Sequence, residues 1–129
     1  MKAGGNELEE RASSFAEVVI DFCRNLPLDA VNDPLVQQLV RSSTSIGANY
    51  CEADEAESKK DFRHKIALCR KESRETKYWL RMIARSAAAH APQSRILWRE
   101  AKELHLIFCA IVRTTDKNLQ AAATARAKL

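Results

Sequence analysis

Apolar side chains return every three or four residues along most of this chain, which is the periodicity of helices that bury one face. Leu8, Ala12, Phe15, Val19, Phe22 and Leu26 form the first such stripe, and Asn25-Leu26-Pro27 stops it. Asn32-Asp33-Pro34 then offers cap residues and a proline for the first helical turn. The second stripe is Val36, Leu39, Ser43, Ile46, Tyr50 and Ala53, with Ser42, Ser43 and Gly47 making its middle small enough for close helix approach. A capping box, Ser58 with Asp61, opens a third helix whose seam is Phe62, Ile66, Cys69, Ser73, Thr76, Leu80, Ile83 and Ala87. His90-Ala91-Pro92 closes that stretch, and a fourth helix is expected after the proline. Its seam is Leu97, Ala101, Leu104, Phe108, Ile111 and Thr115, widened by Ile96, Ile107 and Val112.

Four amphipathic helices on short connectors predict an all-α fold, an antiparallel up-down-up-down four-helix bundle over residues 7–117, with helices crossing at about 20°. Phe15, Phe22, Phe62 and Phe108 are expected in its core. Residues 1–6 and 118–129 lack the stripe and are expected to be disordered or to fray.

Composition agrees with a single helical domain: 129 residues contain only 3 Gly and 3 Pro. No apolar run approaches the roughly 18 residues of a membrane span, and the first residues lack a hydrophobic signal core, so the expected location is cytoplasmic. Cys23, Cys51, Cys69 and Cys109 form no C-x-x-C pair and read as separate thiols. A di-iron bundle needs two Glu-x-x-His segments, and none exists; Asp61-x-x-His64 is one isolated pair beside lysines. No metal and no cofactor are expected.

Charge changes the picture more than composition does. Residues 1–58 carry 4 basic and 11 acidic side chains, residues 59–85 carry 10 and 3, and residues 86–129 carry 7 and 3, so a net charge of +4 hides a strongly basic middle. Turned by 100° per residue from Phe62, Arg63, Arg70, Arg74, Lys77, Arg81 and Arg85 fall between roughly 60° and 140°, a basic stripe along one flank of the third helix. Such a row can track phosphates with little sequence choice. It can equally be neutralised by the acidic first two helices, Glu17 and Asp21 among them. The opposite flank holds Leu68, Glu72, Glu75 and Trp79, a mixture that fits burial against a neighbouring helix or a subunit contact.

The stretch Arg41-Ser42-Ser43-Thr44-Ser45-Ile46-Gly47-Ala48-Asn49-Tyr50-Cys51-Glu52-Ala53, then Lys60-Asp61-Phe62, then Lys71 to Leu80 (KESRETKYWL), resembles the bacterial four-helix-bundle family encoded in intervening sequences of 23S ribosomal RNA genes, also labelled S23 ribosomal protein. That family is similar to the accessory variability determinant of diversity-generating retroelements. The resemblance runs from about Phe15 to Leu119. It implies a homo-oligomer, a closed pentameric ring, and in the retroelement relatives a positive surface that binds nucleic acid and a reverse transcriptase. By the same resemblance Ser45, Ala48, Asn49, Glu52, Glu72, Glu75, Trp79 and Leu80 occupy motif positions with packing and assembly roles. The chain departs from the pattern at Glu52-Ala53, where members often have Glu-Gly, and in the connector Ala87 to Pro92.

The function expected is therefore non-enzymatic: binding of RNA or DNA, or of a nucleic-acid-processing partner such as a reverse transcriptase, by an oligomeric bundle. The alternatives are a purely structural assembly protein with internally paired charges, and a ribonuclease of the helical HEPN type. The last rests on Arg85 to His90 and Arg99 to His105, which satisfy a loose Arg-x(4–6)-His pattern for a phosphate-stabilising Arg beside a general acid or base.

Overall fold

The computed structural model describes residues 3–129, with side chains from Glu7 onward. Four helices carry the chain: α1, Ala3–Arg24; α2, Asn32–Asp54; α3, Lys59–Ser86; and α4, Ala91–Ala127, with one 3-10 turn, Ala88–His90, between the last two. Neighbours run antiparallel, as the cross-helix partners require. Arg41, Ser42, Ile46 and Glu52 of α2 meet Glu75, Thr76, Cys69 and Lys65 of α3, while Lys77 and Arg63 of α3 meet Trp98 and Asp116 of α4. The fold is the expected up-down-up-down bundle, in which α3 packs closely on both α2 and α4, α1 packs on α2 and touches α4 lightly, and α1 stands diagonally across from α3.

Every stripe reaches the core. Phe15, Val19, Phe22 and Leu26 meet Leu39, Ile46 and Tyr50, Ile66, Cys69, Leu80 and Ile83, and Leu97, Leu104, Phe108 and Val112. Phe62 is the exception among the phenylalanines: it is half-buried at the end of the bundle, in a shallow pocket with Ile111 and Thr115. Ile96, expected to widen the fourth stripe, is 55% exposed.

The helix ends differ from expectation for local reasons. α1 opens at Ala3 rather than near Leu8, and the part of the expected fraying segment that covers Met1 and Lys2 lies outside the described residues. The first turn of α2 is capped from outside the Asn-Asp-Pro segment: Asp29 Oδ1 accepts from the backbone N–H groups of Val31 (2.9 Å) and Asn32 (2.7 Å). Asn32 itself is buried, donating to the Pro27 carbonyl at 3.1 Å and accepting from the Ser86 hydroxyl, which ties the first connector to the end of α3. α3 stops at Ser86, short of the alanines, and α4 begins at Ala91 with Pro92 inside its first turn rather than ahead of it. Where the bundle was expected to end at residue 117, α4 continues to Ala127. Its side chains there lose the apolar stripe and turn largely to solvent, but QAAATARA is rich in the residue that costs a helix least.

Candidate nucleic-acid interface

α3 begins as its sequence dictates, with Ser58 Oγ accepting from the Asp61 N–H at 3.0 Å. From there its basic flank turns toward α4, away from the acidic α1. Arg63 is held at one end by Asp116 of α4, Nε to Oδ1 at 2.9 Å and Nη2 to Oδ2 at 3.2 Å, and that contact lowers the Asp116 carboxyl below its usual range. Among the described residues no carboxylate lies within 4.0 Å of Arg70, Arg74, Lys77, Arg81 or Arg85, and neither Glu17 nor Asp21 pairs with the stripe.

α4 answers with a flank of its own. Turned by 100° per residue, Arg95, Trp98, Lys102, His105, Cys109 and Arg113 share one side of that helix. The two flanks enclose a groove. Arg70, Lys71, Arg74, Glu75 and Tyr78 line one stretch with His105 and Cys109, and Arg81 lines the next with Arg95 and Trp98. Lys77 Nζ and Lys102 Nζ each lie 5.7 Å from the centre of the Trp98 ring. Burial first, then the positive field of Lys77, Arg74 and Arg70, lowers the pKa of His105, whose Nε2 is 3.6 Å from Cys109 Sγ.

On the opposite flank Glu72 is buried and receives Arg41 of α2 at 3.0 Å, and a second nitrogen of Arg41 reaches Glu75, at the edge of the groove, at 2.8 Å. Burial and the neighbouring Glu75 raise the Glu72 carboxyl above its usual range, with Arg41 pulling less strongly the other way. Leu68 and Trp79 are half-buried. Trp79 meets Tyr78 edge-on at 4.9 Å, and its Nε1–H is shielded from solvent with no hydrogen-bond partner among the described residues. The α2 motif residues lie along this same seam. Ser45 Oγ donates to the Arg41 carbonyl at 2.7 Å, Asn49 Nδ2 to the Ser45 carbonyl at 2.8 Å, and Glu52 Oε1 stands 3.6 Å from Lys65 Nζ. Ala48 is exposed and Leu80 fully buried.

The two Arg-His pairs go to different places. His90 packs edge-on against Phe22, 6.5 Å between ring centres, while His105 faces the groove. Among the described residues no three His, Cys, Asp or Glu side chains gather as a metal site would need. The structure brings Arg70, Arg74, Lys77 and Arg81 together with Trp98, Lys102 and Arg95, which the stripe on α3 does not single out. The same helical wheel drawn for α4 finds them; its apolar seam alone does not.

This bundle has known counterparts. The description of 23S rRNA-intervening sequence proteins matches residues 6–110. The chain belongs to that family. A crystal structure of a protein of unknown function from the S23 ribosomal protein family of Bacteroides thetaiotaomicron is 28% identical, with a TM-score of 0.70 over 81% of this chain and 97% of that one. No functionally curated protein matches. The matched region of the 23S rRNA-intervening sequence family takes in α3 whole and α4 through Ala110, and so most of the groove.

Proposed function

We propose that this member of the 23S rRNA-intervening sequence family binds nucleic acid through phosphates laid along the groove between α3 and α4, without catalysis. The observation that carries the reading is the run of Arg70, Arg74, Lys77, Arg81 and Arg85 with no carboxylate within 4.0 Å among the described residues. A protein that neutralised this row for its own stability would set acidic side chains against it; here only Arg63 is so engaged. Bound strands would displace counterions from each cation, giving affinity with weak sequence preference. A partner that handles the same strand, such as a reverse transcriptase, would meet the protein along this face. Replacing Arg70, Arg74 and Arg81 together with Gln is expected to weaken binding to the same extent for unrelated sequences while helicity is kept. Unchanged affinity in a folded triple variant would contradict the reading, and RNA cleavage lost in His105→Ala would replace it with an enzymatic one.

A second reading, assembly into a ring of copies, is favoured by Trp79. Its ring is half-buried on the flank that also carries Leu68 and Glu72, and its Nε1–H has no hydrogen-bond partner among the described residues. That donor is closed to solvent in the single chain, so an acceptor from a neighbouring copy would satisfy it only with the Trp79 side chain turned outward on assembly. Both readings can hold at once, since they use different flanks of α3.

A further inference from the structure

Among the described residues, Trp98 is the one aromatic ring lining the stretch of the groove that Arg81 and Arg95 border. Two ammonium groups, one from α3 and one from α4, converge on a single indole, each 5.7 Å from its centre. Arg81 and Arg95 complete the walls on either side of the same cleft, whose floor is Leu80, Ala84 and Ser94. Ser94 is already committed, its hydroxyl donating to the Leu80 carbonyl at 2.7 Å, so the floor offers an incoming group a small, mostly apolar surface. Four cations around one half-buried ring repel one another, and an anion with a flat apolar body relieves that repulsion. A nucleotide is such a ligand. In a duplex, however, the base faces are stacked on one another and only phosphates reach a protein groove; in a single strand each base offers its face to an aromatic side chain.

We infer that Trp98 is a base-stacking platform, with Lys77, Lys102, Arg81 and Arg95 holding the flanking phosphates, and that the ligand of the groove is single-stranded nucleic acid. This deepens the proposed function and rests on it. Stacking contributes about 1–3 kcal/mol per base, so Trp98→Ala should weaken binding of a single-stranded thymidine homopolymer by roughly 5- to 150-fold, and weaken binding of a duplex of equal length much less. Trp98→Phe, which keeps a smaller ring, should retain part of the difference.

Fluorescence gives a second readout. The homopolymer should quench wild-type emission, and the quenching should vanish in Trp98→Phe, where Trp79 is the remaining tryptophan. If Trp98→Ala and Trp98→Phe weaken single strand and duplex equally, or if quenching persists in Trp98→Phe, the stacking inference is wrong while phosphate binding stands. If the wild-type protein binds neither form and the Arg70, Arg74 and Arg81 triple variant behaves like it, both are wrong.

Discussion

Glu72 and Arg41 set burial against charge. The carboxyl is nearly out of solvent, and its raised pKa means that the folded chain holds this proton more tightly than the unfolded chain does. Ionised Glu72 therefore costs stability as pH rises from the ordinary carboxyl range through its raised value, and Arg41 limits that cost. Arg41→Gln should destabilise the fold by about 1–3 kcal/mol at neutral pH, and by less in acid, where Glu72 is protonated and needs no cation. Thermal melts at the two pH values check this. A loss equal at both would mean that Arg41 acts through packing, and Glu72→Gln added to Arg41→Gln should recover much of the neutral-pH loss.

Thiol chemistry follows the same burial. Burial pushes Cys23 up to about 11 and Cys69 up to about 12, while Cys51 is raised chiefly by its contact with Glu9, Sγ to Oε1 at 3.1 Å. Alkylation of the folded protein followed by mass spectrometry should spare Cys23 and Cys69, and Glu9→Ala should speed modification of Cys51. Gly47 is a different case. A Cβ built there meets Ala12 Cβ at 3.7 Å, an ordinary contact, so the close α1–α2 approach does not require glycine. Gly47→Ala should stabilise by about 1 kcal/mol through helix propensity; a lowered melting temperature would show the seam to be tighter than that distance.

At the scale of elements, the caps and stripes that set α3 and α4 decide where the groove lies. Ser58→Ala removes the one side-chain cap of α3 and should cost about 1 kcal/mol, measurable by urea unfolding. The stripes of all four helices, the capping box and the bundle topology were legible in the sequence, because burial of one helix face leaves a period that needs no tertiary knowledge. The basic stripe was legible too, but not its neighbours. Whether α3 turns its cations toward acidic α1 or toward α4 depends on which helix sits beside which, and periodicity is silent on that. For the same reason Trp98 and Lys102 are only partly legible: a helical wheel places them on one flank of α4, but nothing in the sequence sets Lys77 of α3 across the groove from them. Glu72 and Glu75 share a flank with Trp79 by angle alone, yet their partner, Arg41, lies on another helix. The cap of α2 escapes a linear reading because Asp29 sits three residues before the helix, where a loop folds back. The length of α4 escapes it because helix geometry there is carried by alanine propensity without an apolar stripe.

Across the whole molecule, the charge sorted along the chain becomes charge sorted in space. α1 presents Glu7, Glu10, Glu17 and Asp21 to solvent, and α3, diagonally opposite, presents its cations beside those of α4. If copies assemble through the Trp79 flank, light scattering should give a mass several times 14.5 kDa, and Trp79→Ala should lower it. A ring would repeat the groove on every copy and raise apparent affinity through avidity. The groove itself is tested most directly by the salt dependence of binding. For a single-stranded oligonucleotide, the logarithm of the association constant should fall linearly with the logarithm of salt concentration, by about 0.7 for each phosphate neutralised. The variant with Arg70, Arg74 and Arg81 changed to Gln should give a slope shallower by roughly 2, because three phosphates would no longer be neutralised. A wild-type affinity that does not respond to salt, or a triple variant whose slope matches wild type while its helicity is intact, would mean that these arginines do not hold phosphates.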